Sequence, residues 1–268
     1  MPNERLPTLF IPHGGGPCFF MEPLPPQPAN LWDGMAAYLK GIDAAIGRRP
    51  KAVLVISGHW EAPQVTFNVA ERPGLLYDYY GFPEHTYQLK YPVHGAPRLA
   101  ARIEEMLAAA GFKSAVDGKR GLDHGVFVPF LLIYPNADVP LLQMSLQGSL
   151  DPALHLAIGR ALAPLRREEV LIVGSGMSYH NLAAMFSGRG NAESEAFDAW
   201  LGEAVAEPAS RDQKLIAWHA APGGAASHPH EEHLLPLMVA AGAADGDRGV
   251  RTYNGVISGK KISGFQFG

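Results

Sequence analysis

The chain has 268 residues, of which 47% are hydrophobic, with a formal net charge of −4 and an isoelectric point near 6.2. This length and apolar content are enough to build a hydrophobic core without covalent staples. The slightly acidic charge, with no lysine or arginine cluster longer than a pair, argues against nucleic acid or an anionic membrane as a partner. We therefore expect a small-molecule partner.

Cellular location is indicated by what the sequence lacks. Cys18 is the only cysteine, so an intrachain disulfide and a cysteine-based zinc site are both excluded. The first residues contain no apolar run typical of a signal peptide, and the longest apolar stretch, 126–134, is too short to span a bilayer. These features predict a cytoplasmic protein with no membrane association.

Short aliphatic runs alternate with stretches of helical periodicity along the chain. This alternation predicts an α/β fold of three layers, with a mostly parallel central sheet and helices on both faces. Glycine and proline are distributed over many connections instead of one linker, so we expect residues 1–268 to form a single domain. In chain order, the predicted elements are a strand at 8–11, a helix at 31–46, a strand at 52–57, a helix at 99–107, a strand at 139–144, a helix at 154–165, a strand at 170–173 and a terminal hairpin with its tip near 258–260.

Five of the eleven histidines stand at predicted element ends. His13 and His59 directly follow strands, and His180 follows a third strand after a short turn. His124 lies in a loop that enters a helix, and His233 is predicted in the first turn of another. Ligands bind beyond the carboxyl ends of strands in open α/β sheets, so these imidazoles are expected to converge on a site there. Imidazole suits iron, zinc, copper or nickel.

Competing motifs are incomplete. Three glycines follow His13, but no Gly-Lys-Ser/Thr follows them as a phosphate-binding loop requires. His230 and His233 are three residues apart, whereas a zincin helix needs its histidines four apart. His180 occupies the position where a hydrolase nucleophile elbow built on Ser178 would need glycine. For His85, His94, His155 and His219 we expect structural roles only.

The histidine segments are similar to those of a known family. The chain resembles the class III extradiol ring-cleavage dioxygenase superfamily, which includes the β-subunit of protocatechuate 4,5-dioxygenase. Within this superfamily it most resembles the DOPA 4,5-dioxygenase branch. The resemblance runs from residue 7 to about 244 and depends on the order and spacing of its segments. These segments are PTLFIPHGGGP, VLVISGHWEA, YYGFPEHTYQLKYP, GLDHGVFVPFLLIYP, VPLLQMSL, GSGMSYHNL and HPHEEHLLPLMVAAGAA.

The resemblance implies a role for each histidine of the set. His13, His59 and His233 would bind one divalent metal ion, although the third position is a glutamate in better-known members, and Glu232 is the alternative ligand here. Fe(II) is expected for activity, and Zn(II) is the second ion that fits three imidazoles. His180 would be the catalytic acid/base, and His124 would donate a hydrogen bond near oxygen and the substrate hydroxyl. The partners would be a small aromatic diol, DOPA-like or another catechol, and O2, and the product a muconic semialdehyde.

Two other functions stay open from the sequence. One is a zinc-dependent hydrolase on the same fold, in which His180 or Glu232 activates a metal-bound water. The other is a non-catalytic metal-binding or interaction protein. The sequence predicts neither the identity of the catechol nor the oligomeric state.

Overall fold

The computed structural model describes residues 5–23 and 25–268, and eight strands within these residues form one sheet. Their order across the sheet is β4-β3-β5-β2-β6-β1-β8-β7. The strands are β1 (Thr8–Pro12), β2 (Ala52–Ala62), β3 (Val65–Asn68), β4 (Ser114–Asp117), β5 (Leu141–Gln147), β6 (Val170–Gly176), β7 (Gly249–Ile257) and β8 (Lys260–Phe267).

The centre of the sheet is parallel and its margins are mixed. Strands β5, β2, β6 and β1 pair in parallel. On one side, β3 is antiparallel to β5 and parallel to β4; on the other, β8 joins β1 and β7 in antiparallel pairs. The carboxyl ends of the four central strands therefore lie at one edge of the sheet, which is where ligands bind in such folds.

Helices cover both faces of this sheet. The α-helices are α1 (Asp33–Ile46), α2 (Pro97–Ala109), α3 (His124–Ile133), α4 (Pro152–Leu162), α5 (Leu182–Met185), α6 (Asn191–Ala206), α7 (Pro208–Ile216), α8 (Gly224–Ser227) and α9 (Leu235–Gly242). Within the described part of the chain, four short 3-10 helices lie at Cys18–Phe20, Glu84–Gln88, Ala163–Glu168 and Trp218–Ala220.

The three layers follow from the alternation of side chains along the strands. Val53 and Val55 of β2 point into a core shared with α1 and α3. Leu54 and Ile56 point the other way, into a core shared with α2, α4 and α9. Each central strand is buried on both faces, which explains its continuous run of aliphatic residues. The predicted three-layer α/β fold is confirmed, with a mixed sheet.

Most predicted elements are present, with shifted ends. The fifth strand begins at Leu141 instead of residue 139, because Pro140 has no amide hydrogen to donate to the sheet. The fourth helix ends at Leu162, and the chain continues as a 3-10 helix that contains Pro164. The terminal hairpin turns at Ser258-Gly259, both with positive φ. No helix in the described ranges combines the length and the apolar character needed to cross a membrane.

Candidate active site

The five histidines singled out in the sequence meet at the carboxyl edge of the parallel strands. The ring centroid of His13 lies 4.9 Å from that of His59 and 5.2 Å from that of His233. The centroids of His59 and His233 are 4.6 Å apart, and His124 is 3.9 Å from His59. His180 stacks on His233 at 3.4 Å. Segments far apart in the chain thus contribute to one cluster.

Two of these histidines sit differently from the prediction. His59 was expected directly after a strand, but β2 continues to Ala62, and its register with β5 shifts between Ile56 and Glu61. Such an irregularity bends a strand and redirects side chains, and it places His59 within β2. His233 was predicted in the first turn of a helix; it lies instead in the turn before α9, where the amides of Leu234 and Leu235 both donate to the carbonyl of Glu231.

Glycines allow the backbone segments of the site to approach. A Cβ on Gly176 would lie 2.1 Å from the carbonyl oxygen of His233, and one on Gly58 would lie 3.2 Å from its Cα. A side chain at either position would push the His233 turn away from the sheet. Gly14 has a φ of 83°, and its Cβ would lie 2.5 Å from Cys18 Sγ. These contacts explain the glycines at positions 14, 58 and 176.

His13 presents an unpaired nitrogen to the cluster. Its Nδ1 lies 3.0 Å from the carbonyl oxygen of Gly14, so Nδ1 carries the proton and donates it. The Nε2 atom is buried and has no hydrogen-bond partner among residues 5–23 and 25–268. A buried polar atom without a partner is costly unless a ligand satisfies it. The lone pair of His13 Nε2 is therefore free to bind an ion.

The Nε2 atoms of His59 and His233 face each other. They are 3.1 Å apart. Two nitrogens bound to one ion at about 2.0–2.1 Å lie roughly 2.9–3.4 Å apart for octahedral to tetrahedral angles. The observed separation falls in this interval, so the pair has the spacing of two ligands of one metal ion.

The carboxylate of Glu232 orients the rings on this side of the cluster. Its Oε1 lies 2.5 Å from His233 Nδ1 and 3.0 Å from His180 Nδ1, and its Oε2 accepts a hydrogen bond from His230. Burial acts to raise the pKa of Glu232, but hydrogen bonds from His180 and His233 outweigh it and hold the pKa well below the ordinary value. The negative charge fixes Nδ1 of His233 as the protonated atom and leaves Nε2 bare, as in other metal-binding histidines.

Burial also keeps three of the clustered histidines neutral. It lowers the pKa of His233 to about 4, although the hydrogen bond to Glu232 acts in the opposite direction. The pKa values of His13 and His59 are also lowered well below the usual range, first by burial and then by neighbouring histidines. Neutral imidazole is the form that binds a metal ion, so these three side chains are in the ligating state at neutral pH.

Asp78 is a second carboxylate partner that sequence reasoning missed. Its Oδ1 accepts hydrogen bonds from the ring Nδ1 of His124 at 2.8 Å and from the backbone amide of His124 at 2.9 Å. Its Oδ2 lies 3.6 Å from His59 Nδ1. Burial alone would raise the pKa of Asp78, but the hydrogen bonds from His124 lower it overall. Asp78 belongs to an irregular loop, and no motif around it signals this role.

A buried polar network supports the backbone of His59, and it too was missed. The His59 amide donates to Ser57 Oγ at 3.2 Å, and Ser57 Oγ donates to Asp123 Oδ1 at 2.7 Å. The guanidinium of Arg120 donates to the His59 carbonyl at 3.0 Å and lies 3.5 Å from Asp123 Oδ2, and Gln143 also donates to that oxygen. These bonds hold His59 from the side remote from the cluster.

In the described structure, the four histidines expected to be structural are not among the residues that line the site cavity. The ring of His155 is held by local hydrogen bonds. Its ring Nδ1 lies 2.7 Å from the Asp151 carbonyl, and its Nε2 accepts from the Gln147 amide at 3.1 Å. His85 contacts the carbonyl oxygen of Phe20.

The cluster opens into a cavity of about 750 Å³. The five histidines and the carboxylates of Asp78 and Glu232 are among the residues that line it. Its remaining wall is largely apolar and includes Trp32, Phe82 and Met177. A cavity of this size with a few convergent polar groups is typical of a small-molecule site.

Proximity alone allows more than one ligand set. The ligand atoms of His13, His59 and His124 lie within 4.8 Å of one another, and so do those of His180, Glu232 and His233. His124 therefore competes with His233 as the third ligand. The Glu232 oxygens contact ring nitrogens of three histidines, an arrangement that favours an orienting role over a ligating one.

Comparison with known proteins supports a ring-opening enzyme. Residues 7–264 match the family model described as the catalytic LigB subunit of aromatic ring-opening dioxygenase. The chain is 46% identical to the 4,5-DOPA dioxygenase extradiol of Beta vulgaris over 74% of each protein. It is 38% identical to Dioxygenase tasH of Hapsidospora irregularis, over 98% of this chain and 85% of that protein.

A bacterial relative and a solved structure extend the match to nearly the whole chain. The 4,5-DOPA dioxygenase extradiol of Escherichia coli K12 is 32% identical over 92% of this chain and 88% of its own length. The crystal structure of an uncharacterized Escherichia coli K12 protein superposes with a TM-score of 0.79 at 28% identity, covering 98% of this chain and all of that one. The chain belongs to the LigB family of aromatic ring-opening dioxygenases.

Proposed function

We propose that this protein is an extradiol dioxygenase that opens the ring of a catechol with O2 to give a muconic semialdehyde. One divalent ion, Fe(II) in the active enzyme, would be held by His13, His59 and His233. The observation that carries the proposal is the bare, buried Nε2 of His13 beside the facing Nε2 atoms of His59 and His233. The single buried thiol suits our expectation of a reducing cytoplasm.

The donor set fits a redox-active or Lewis-acidic divalent ion. Three neutral nitrogens leave the +2 charge uncompensated, which favours binding of a negatively charged catechol oxygen. When bound, the metal would orient the diol and O2 together and let charge pass between them. The chain's residues supply the ligands, the orientation and the proton transfers.

His180 is proposed as the acid/base that takes the second catechol proton and later returns it. Its Nδ1 is paired with Glu232 at 3.0 Å, which leaves Nε2 available on the cavity side. A carboxylate behind the ring stabilises the imidazolium that forms when the proton arrives. His180 is thus arranged to accept a proton and hold it close to the ion site.

His124 is proposed as a hydrogen-bond donor to oxygen or to the substrate hydroxyl. Its Nδ1 is held by Asp78, and its ring faces the cavity. With both ring nitrogens protonated, Nε2 can donate to a developing negative charge, and Asp78 balances the charge of the ring.

The test is anaerobic loading with Fe(II) followed by addition of a catechol and air. We expect one O2 consumed per catechol, both atoms of 18O2 in the product, and a new visible absorbance. Hydrogen peroxide release without ring opening, or no oxygen uptake with any catechol, would contradict the proposal.

A zinc-dependent hydrolase is the second candidate, and the donor set is the observation that favours it. Three imidazoles around one ion also form a known catalytic zinc site. The zinc-loaded protein would then hydrolyse a substrate without consuming oxygen. Because three histidines surround the Glu232 carboxylate, His180 is the better base for this reaction.

A further inference from the structure

The cavity changes character from its inner end to its mouth. His13 and His233 at the inner end are 1% and 3% exposed. At the mouth, Leu182 and Phe186 line the cavity while remaining 68% and 56% exposed. Large apolar side chains that stay exposed beside a binding site often indicate a ligand surface. Leu182 is the first residue of α5, two residues after His180, and Phe186 directly follows the last residue of this helix.

The cavity is larger than a single-ring diol requires. Volumes of about 300–1,000 Å³ are typical of sites for drug-sized ligands, and this one measures about 750 Å³. The diol would occupy only the inner end. The space towards Leu182 and Phe186 is therefore available for a ring substituent.

The permanently charged side chains that line the cavity are carboxylates, and the titratable side chain of His230 is paired with one of them, Glu232. Glu61, Asp78 and Glu232 line the cavity, and no lysine or arginine does so within residues 5–23 and 25–268. Arg120 is engaged elsewhere, since it donates to the His59 carbonyl and lies 4.8 Å over the Trp60 ring. A carboxylate on the substrate would find no lysine or arginine to pair with among the described lining residues, and at the mouth it would face the like charge of Glu61.

We propose that the substrate is a catechol with an extended, uncharged, apolar substituent, bound by Leu182 and Phe186, and that Glu61 helps to exclude catechols with a carboxylate. This inference rests on the proposed function, which it refines by naming the substrate class. Glu61 is exposed at the mouth, so an anionic substituent directed there meets a like charge.

The test compares three catechols on the Fe(II)-loaded protein. The probes are 3-(3,4-dihydroxyphenyl)propanoate, 4-isopentylcatechol, in which an isopropyl group of similar shape replaces the carboxylate, and 4-methylcatechol. We expect kcat/KM for the isopentyl compound to exceed that for the propanoate by about tenfold or more, the effect of 1.4 kcal/mol. We also expect it to exceed that for 4-methylcatechol. Equal or higher values for the propanoate would overturn the inference.

Variants assign the preference to individual residues. Glu61→Lys should raise kcat/KM for the propanoate relative to that for the isopentyl compound. Glu195→Lys makes the same charge change at an exposed position of α6 outside the cavity, and it should leave this ratio unchanged. Leu182→Asn and Phe186→Asn should lower the isopentyl-to-methyl ratio, and Ile216→Asn, an exposed apolar residue on α7, should not. Equal shifts in test and control variants would overturn the assignment.

Binding separates this inference from the proposed function. Calorimetry under anaerobic conditions gives the affinities of the same three catechols for the metal-loaded protein whether or not oxygen is consumed. Tighter binding of the isopentyl compound supports the inference even if ring opening fails. Equal or tighter binding of the propanoate overturns it even if ring opening succeeds.

Discussion

Replacing Glu232 by glutamine should weaken metal binding without abolishing it. Glu232 Oε1 accepts hydrogen bonds from His233 Nδ1 at 2.5 Å and from His180 Nδ1 at 3.0 Å. Glutamine keeps the shape but removes the charge and turns one acceptor oxygen into a donor NH2 group. The His233 ring then loses the partner that keeps its Nε2 deprotonated and aimed at the ion site.

The expected magnitude follows from the role of such partners. Removing a hydrogen-bonded carboxylate behind a metal-binding histidine typically lowers metal affinity or activity by about 10–100-fold, which corresponds to roughly 1.4–2.7 kcal/mol. A direct ligand would cost far more. We therefore expect Glu232→Gln to lose between one and two orders of magnitude in metal affinity and to retain one ion per chain at saturation.

Competition with a metal chelator, monitored at fixed pH, measures the affinity. Glu231→Gln is the matched control, because it makes the same chemical change one residue away and the Glu231 side chain does not line the cavity. Equal affinities in the two variants would refute the orienting role of Glu232. Complete loss of the ion from Glu232→Gln would show that Glu232 is itself a ligand.

Three further predictions concern turnover, packing and pH. His180→Ala should retain the metal but lose about 10²–10⁴-fold in turnover, the usual contribution of a general acid/base, whereas His13→Ala should lose the ion. Metal analysis and oxygen uptake distinguish the two variants. Equal loss of metal from both would contradict these roles. Gly176→Ala should lower the free energy of unfolding by about 1–3 kcal/mol, since its Cβ would lie 2.1 Å from the His233 carbonyl; unchanged denaturant midpoints would contradict this. Burial lowers the pKa of His228 from 6.5 to about 3 in the folded protein. Below pH 6.5 the unfolded chain therefore binds more protons than the folded protein, and the free energy of unfolding decreases as the pH is lowered. The loss between pH 6.5 and 5 should be about 1.6 kcal/mol for this group. A smaller dependence of stability on pH in His228→Gln than in the exposed control His219→Gln would verify the prediction, and equal dependences would contradict it.

The sequence predicted the parts of this site that depend on local signals. His13 and His180 follow aliphatic strands with glycines nearby, and parallel strands bring such positions to one edge. The resemblance added the order of the segments. The local signals and the resemblance together were enough to predict the fold class and the convergence of five histidines on one site.

Other parts depend on tertiary approach and were not predicted. Asp78 lies in an irregular loop, and its pairing with His124 arises only when that loop packs against the start of α3. The shift of His59 into β2 follows from a register irregularity that periodicity does not reveal. Strands β3 and β4, each of four residues, are too short for a periodic signal.

The most direct test of the central claim is the metal content of His233→Ala beside that of His124→Ala, each loaded anaerobically with Fe(II) and desalted. Both residues lie close to His59, and proximity does not choose between them. The ligand set of His13, His59 and His233 predicts that His233→Ala loses the ion and that His124→Ala keeps one per chain. Retention by His233→Ala together with loss by His124→Ala would contradict it.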